Sequence, residues 1–317
     1  MGKRNIVWND YISCRERFAD FYNGVVFHGK QIVCAGDLTD LNAKLWRRQR
    51  AKDSYHEYIR DVVKLWNYRG RKYILGLEPE ESPHNALPVK YMNYESIEYD
   101  RQYKEILQNH RRKRDLSSGE YLSGISETER LMPVVSLSVY LGEKAWAGPA
   151  RLSEMFGTAE ESIEIRENLV PLWNEFHVNR IDVHELEPGD VFRTDLREVF
   201  SFLKYQGDKE KLRRYVEENE RFQHLKEDAY DVLSLYGESE KLAQRKEKYR
   251  TKEGMNMCTA LRELEEDARE EGRVEGRDAM NRLIIYLMDE GRIDDLKRAS
   301  RDMPYQENLM REYGIQG

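Results

Sequence analysis

The sequence predicts an α/β fold over roughly residues 1–185, followed by a helical and acidic region. Three observations carry that expectation. Two apolar runs of strand length, Tyr58-Ile59-Arg60-Asp61-Val62-Val63-Lys64-Leu65-Trp66 and Tyr73-Ile74-Leu75-Gly76-Leu77-Glu78-Pro79-Glu80, flank Asn67-Tyr68-Arg69-Gly70-Arg71-Lys72 and read as a β-hairpin. Met132 to Gly142 is the cleanest strand, set off by Pro133 and Gly142. Beyond residue 188 the apolar positions recur at helical spacing amid dense charge.

Taken in order, residues 5–27 read as a helix through Trp8, Tyr11, Ile12, Phe18, Phe21, Tyr22 and Val25, with Asn23-Gly24 offering a kink or stop. Gly29 to Leu38 is a short extended piece and turn, and Arg47-Arg48-Gln49-Arg50-Ala51-Lys52 a polar basic lead into the hairpin. After the break at Glu81-Ser82-Pro83, Ala86 to about His110 forms one long helix ending in Arg111-Arg112-Lys113-Arg114. Arg151 to Met155 starts another helix, and alternation between Trp173 and Val183 suggests a further strand. Amphipathic helices follow around 196–203, 212–216 and 232–236. A charged stretch from Glu253 to about Arg277 is interrupted by Gly272 and Gly276, each costing about 1 kcal/mol in a helix interior. Met280–Gly291 and Ile293–Ala299 close the chain before Met303-Pro304-Tyr305. The expected units are a core over 1–185, a helical extension over 186–252 and a charged helical tail over 253–317. The Leu283–Met288 stripe belongs to a core or to a homodimer seam.

Composition narrows the function classes. With 317 residues there is ample core for one large domain or two ordinary ones, and 20 Tyr and 5 Trp argue for packed structure despite 35% charged residues. Cys14, Cys34 and Cys258 have no ligand spacing and read as reduced thiols in a cytoplasmic protein. No run approaches the ~20 apolar residues of a membrane span. The net charge of -7 hides an asymmetry: residues 1–150 hold 24 basic and 20 acidic residues, leaving 28 and 39 for the rest. A nucleic-acid surface therefore belongs in the first half. Its candidates are Arg47, Arg48, Arg50, Arg69, Arg71, Lys72, Lys90, Arg111 and Arg112, which as phosphate contacts would bind without sequence preference. Each cluster also reads as a solvated helix end or turn tip. His28, His56 and His84 have no metal-site spacing.

The acids of the hairpin stand out. Asp61 interrupts the first run, and Glu78 and Glu80 close the second, where a buried strand should be almost continuously apolar. A strand-borne Asp followed 17 residues later by Glu-x-polar is the layout of a divalent-metal phosphodiesterase site. Phosphodiester hydrolysis needs a hard cation to polarise the phosphate and acidify a water, and Mg²⁺ (or Mn²⁺) takes oxygen ligands. The plainer reading makes Glu78, Glu80 and Glu81 a solvated loop and pairs Asp61 with Arg60 or Lys64.

Four blocks of the chain resemble the Rpn family of recombination-promoting nucleases, often labelled transposases, of the PD-(D/E)XK nuclease superfamily, and its clostridial branch in particular. They are Arg17-Phe18-Ala19-Asp20-Phe21-Tyr22-Asn23 with Phe27-His28-Gly29; Tyr58 to Lys64; Ile74 to Glu78 with Ala86-Leu87-Pro88-Val89-Lys90 and Tyr94; and Pro133-Val134-Val135 with Val139-Tyr140-Leu141-Gly142-Glu143. The tail from Leu283 to Ile315 is similar to the helical segment these proteins carry. The resemblance implies a restriction-endonuclease-like core, a mixed sheet flanked by helices, and a Mg²⁺-dependent endonuclease acting on double-stranded DNA. It implies metal binding by Asp61 and Glu78, with the Pro79 carbonyl as a third ligand and Asp20 approaching from the first helix. Glu80 departs from the pattern: the superfamily has Lys there and this family commonly Gln. Lys64 or Lys90 would then supply the missing cation. The alternative is a catalytically degenerate nuclease fold acting as a DNA- or protein-binding module.

Overall fold

The computed structural model describes residues 2–41, 44–49, 54–59, 61–156, 162–189, 191–237 and 239–315, with the backbone alone for 44–49 and 54–59. It is α/β: a five-stranded mixed sheet lies between helices. The chain enters through α1 (Lys3–Ser13) and α2 (Arg15–Val25), broken at Cys14, whose ψ of 125° cannot continue a helix. The expected stop at Asn23-Gly24 does not occur. Gly24 stays within the helix, where Phe192 packs so close that a Cβ would lie 2.3 Å from its ring. A short edge strand, β1 (Leu38–Asp40), follows.

Of the basic lead expected at 47–52, residues 47–49 belong to β2 (Lys44–Gln49), which pairs antiparallel with β3 (Ser54–Ile59), and residues 50–52 lie outside the described residues. The central hairpin is β4 (Val62–Tyr68) with β5 (Arg71–Glu80). Its turn is tighter than the sequence suggests. Only Arg69 and Gly70 connect the strands, at φ 52° and 86°, the two positive φ values of a type I′ turn. The long α3 (Leu87–Lys113), opened by Pro88, crosses over to β6 (Val134–Tyr140), parallel to β5; β7 (Asn179–Asp182) then lies parallel to β6. Sheet order is β1-β4-β5-β6-β7. Residues 152–155 form a 3₁₀ turn rather than the start of a longer helix, and the small α4 (Ile163–Asn168) comes before β7.

The C-terminal half is helical: α5 (Leu196–Tyr205), α6 (Lys209–Glu218), α7 (Glu227–Tyr236), α8 (Glu240–Gln244), α9 (Met257–Asp289), α10 (Ile293–Ala299) and α11 (Met303–Glu312). α9 runs through Gly272 and Gly276 without interruption for 33 residues, about 50 Å. Ion pairs such as Arg273–Glu270 and Lys241–Glu271 lie along that stretch. No helix among the described residues is long and apolar enough to cross a membrane.

The two faces of the sheet differ. Val62, Trp66, Leu75, Leu77, Leu137 and Val139 join one large core with α1, α2 and the helices from Leu196 to Ala260. Segments 1–185 and 186–252 therefore share a single core, and the start of the expected tail is part of it. Leu283 and Leu287 bury in a separate small cluster with Ala279, Ala299 and Leu309, while Ile285, Tyr286 and Met288 of the same stretch stay exposed. The opposite face, Val63, Ile74 and Val134, meets α3 through Tyr99.

Polar side chains of α2 weld the first of these faces to the helical half. Arg17 is 2% exposed. Its Nε and Nη2 donate to Asp195 at 2.7 and 2.8 Å, and Nη2 also donates to Asp228 at 2.8 Å. Removing one member of a buried pair strands the other's charge. Arg17→Met is expected to lower unfolding free energy by about 3 kcal/mol in urea titration, chiefly by stranding Asp195. A loss under about 1 kcal/mol would show that the cluster does not join the two halves.

Candidate functional site

Register builds the site. Val62 pairs with Leu77, so Asp61, one residue before β4, stands across from Glu78. Side chains alternate along β5, which places Glu78 and Glu80 with Ile74 on the α3 face. Asp61 backbone N–H donates to Glu78 Oε1 at 3.2 Å, and the two carboxyls are themselves hydrogen-bonding neighbours. Lys90, in the first turn of α3, brings its Nζ 2.7 Å from Glu80 Oε1 and 4.0 Å from Glu78 Oε2. Asn9 of α1 donates from Nδ2 to Asp61 Oδ1 at 2.8 Å. Glu78 is 1% exposed and Glu80 8%.

Four of the expected groups thus converge: Asp61, Glu78, Glu80 and Lys90. The solvated-loop alternative fails for Glu78 and Glu80, which are buried strand residues, while Glu81 lies in an exposed bend and Arg60 outside the described residues. Pro79 pairs with Val139 beyond the last β4–β5 pair, so its missing N–H deprives no β4 partner, as expected of a strand end.

Lys64 is a correction. It shares the Val62–Trp66 face of β4, opposite the acids, where Nζ pairs with Asp40 and sits 5.3 Å from the Phe18 ring centre. Asp20 is a second correction. Its carboxylate accepts backbone N–H groups of Arg193 (2.9 Å) and Thr194 (2.7 Å) and the Thr194 hydroxyl (2.6 Å), so it fastens the lead into α5.

The expected basic contacts lie apart from the acids. Arg69, Arg71 and Lys72 are exposed at the far end of the hairpin, about 24 Å from Glu78 at strand rise. Arg111 and Arg112 are exposed at the end of α3, about 31 Å from Lys90 at helix rise, where cations also suit the helix dipole. The side chains of Arg47 and Arg48, and Arg50 entirely, lie outside the described residues. Asn9 carried no sequence signal; it reaches Asp61 across 52 residues. Tyr91, next to Lys90, is a second addition. Its buried hydroxyl is held well above the usual phenol range by desolvation and then by the Glu78 and Glu80 charges.

Burial pushes the Asp61 carboxyl above the ordinary carboxylate range, opposed by the Asn9 amide, the Lys90 charge and the Glu78 contact. Among the described residues no group of three or more His, Cys, Asp or Glu is arranged to hold a metal ion. Asp61 and Glu78 offer two adjacent carboxyls, the number a Mg²⁺ site uses when water completes the octahedron. Comparison with protein-family models, with curated proteins and with solved structures returned no match.

A native Asp61 that holds its proton more tightly than the unfolded chain adds stability below about pH 3.9, lost as pH rises through the raised native value. Asn9→Ala removes a donor to the charged form. Carbon NMR titration is expected to place the Asp61 midpoint about one pH unit higher still in that variant. An unchanged or lower midpoint would remove Asn9 from the site.

Proposed function

We propose that this chain is a Mg²⁺-dependent DNA endonuclease of the recombination-promoting PD-(D/E)XK type, with a restriction-endonuclease-like core. The observation that carries the reading is the meeting of Asp61, Glu78 and Lys90 on one sheet face from strand end, strand and helix. Asp61 and Glu78 would hold the cation, with the Pro79 carbonyl and water completing the shell. Bound there, Mg²⁺ supplies Lewis-acid polarisation of the phosphate and a more acidic water. Lys90 takes the role of the family lysine from a neighbouring element: its ammonium stands beside Glu78, where negative charge grows on a phosphate under attack. Glu80 occupies the usual Lys or Gln position and orients Lys90 through the 2.7 Å contact. Asn9 fixes the Asp61 carboxylate.

The remote basic groups support a duplex partner. Their separations along strand and helix, about 24 Å from Glu78 and about 31 Å from Lys90, fall within one turn of double-stranded DNA, about 34 Å. Phosphate contacts there would position the duplex without reading sequence.

A second reading, a non-catalytic DNA- or protein-binding module on the same fold, is favoured by the Glu80–Lys90 pair, which neutralises the lysine that the described residues place at the site. Plasmid cleavage separates the two. The nuclease reading expects Mg²⁺-dependent nicking that Asp61→Ala abolishes and Lys90→Ala slows about 10²–10³-fold. Glu80→Gln is expected to keep or raise the rate, since it frees the ammonium. Cleavage that survives Asp61→Ala sinks the nuclease reading, and no cleavage by the native chain favours the module.

A further inference from the structure

The loop between α3 and β6 carries two bare apolar side chains at its tip. Tyr121 is 77% exposed and Leu122 93%. Exposed apolar residues scattered singly are ordinary, but two large neighbours on one tip call for a partner.

Hydrogen bonds fix the backbone beneath them. Glu120 Oε2 accepts from the Ser117 N–H at 3.0 Å and from its hydroxyl at 2.6 Å, and Oε1 accepts from the Glu127 N–H at 3.0 Å. The Tyr121 N–H donates to the Ser117 carbonyl and the Gly124 N–H to the Glu120 carbonyl, which closes the turn that presents the tip. The turn is fastened to α3. The Tyr103 hydroxyl donates to the Ser123 carbonyl at 2.7 Å. Gly124, at φ 68°, passes so close to Leu107 that a Cβ would lie 2.3 Å from its side chain. His110 joins both ends of the loop, its ring nitrogens 2.5 Å from Asp115 and 2.6 Å from Glu129. The tip is ordered in advance, so a partner meets it without the entropic cost of ordering a chain.

Charge selects the partner. Arg111, Arg112, Lys113 and Arg114 are consecutive and exposed immediately before the loop. The acids nearby are engaged: Asp115 and Glu129 with His110, Glu120 with Ser117 and the 127 amide. Exposed Glu127 stands against four cations. An ordered apolar tip beside such a run suits duplex DNA, where apolar wedges enter base steps while cations hold the phosphates. Two apolar side chains are too few to anchor a membrane, which a whole myristoyl chain holds only marginally. Position agrees with DNA. The loop meets α3 from Tyr103 to His110, about 20–30 Å beyond Lys90 at helix rise, or about six to nine base pairs of duplex.

We propose that Leu122, with Tyr121 beside it, is a wedge that enters a base step of duplex DNA and kinks it, while Arg111, Lys113 and Arg114 hold the flanking phosphates. The inference rests on the nuclease reading for the place of the kink, about six to nine base pairs from the phosphate at Asp61 and Glu78. It narrows the substrate to duplexes that kink cheaply at that distance, those with a flexible TA or CA step there.

The test uses the full chain in EDTA, so that binding is read without cleavage. A duplex of two helical turns with a central TA step, labelled at both ends, reports affinity by anisotropy and bending by energy transfer. Binding of the native chain is expected to raise the energy transfer. Leu122→Ala should remove most of that rise and weaken binding about tenfold, the worth of one buried leucine. Arg111→Ala combined with Lys113→Ala should keep the bend at saturation and lower the slope of log affinity against log salt by about two. All three residues are exposed, so these changes leave the core intact. No duplex binding by the native chain, binding without a bend, or a bend and affinity unchanged in Leu122→Ala overturns the wedge. Binding to anionic vesicles that needs Leu122, with duplex binding indifferent to it, overturns DNA as the partner. The nuclease reading fails separately: cleavage that survives Asp61→Ala removes it, while a bend lost in Leu122→Ala still upholds the wedge.

Discussion

The β4–β5 register is the constraint on which the site depends. Side chains alternate along a strand, so a slip of one residue would send Glu78 and Glu80 into the apolar face and turn Leu77 toward α3. Two things prevent it. The Arg69-Gly70 turn accepts positive φ at both positions and admits no extra residue. Each face also has its own packing demand, Leu75 and Leu77 on the large core and Ile74 against α3. Those requirements lie up to a strand's length from the acids, yet they put Asp61 opposite Glu78. The helix adds the third component: Lys90 reaches the acids because α3 starts directly after the β5 break and lies across the same face.

A second constraint holds the scaffold behind the site. α2 carries Arg17, Asp20 and Asn23, and all three side chains are spent on structure. Arg17 pairs with Asp195 and Asp228, Asp20 accepts the 193–194 amides, and Asn23 spans Ile32 and Val33. Polar groups this deeply buried are costly unless they are hydrogen-bonded. Their effect is to fix where the C-terminal helices sit, which in turn places Tyr236 of α7 against Trp8 of α1.

This explains what the sequence could and could not disclose. Alternating apolar residues and a Gly-containing break identify the hairpin, and the same alternation marks Glu78 as misplaced unless it serves a site. The long helix 87–113 and the strand 134–140 follow from periodicity. What failed was long-range. The resemblance places Asp20 near a metal, and only the fold reveals that the 193–194 amides meet it. Lys64 is three residues from Asp61, but odd spacing on a strand places the two on opposite faces, a deduction that alternation alone allows. The β2–β3 hairpin was hidden by its charge, and α9 by two glycines whose cost is outweighed by packing of Met257, Ala260, Leu283 and Leu287 at its two ends. Asn9 was invisible, since nothing local distinguishes it.

Charge at the site closes the physical case. Asp61, Glu78 and Glu80 bring three carboxyls to one face, and Lys90 is the cation whose contacts with them are described. Glu78 and Glu80 are almost wholly out of water, where each unpaired ion costs several kcal/mol. Lys90 lies closer to Glu80 than to Glu78, so its charge is shared unequally between them. A fold built only for stability would place apolar side chains at these strand ends. Retaining the acids there, buried and held by these contacts, is what makes this strand end a candidate site.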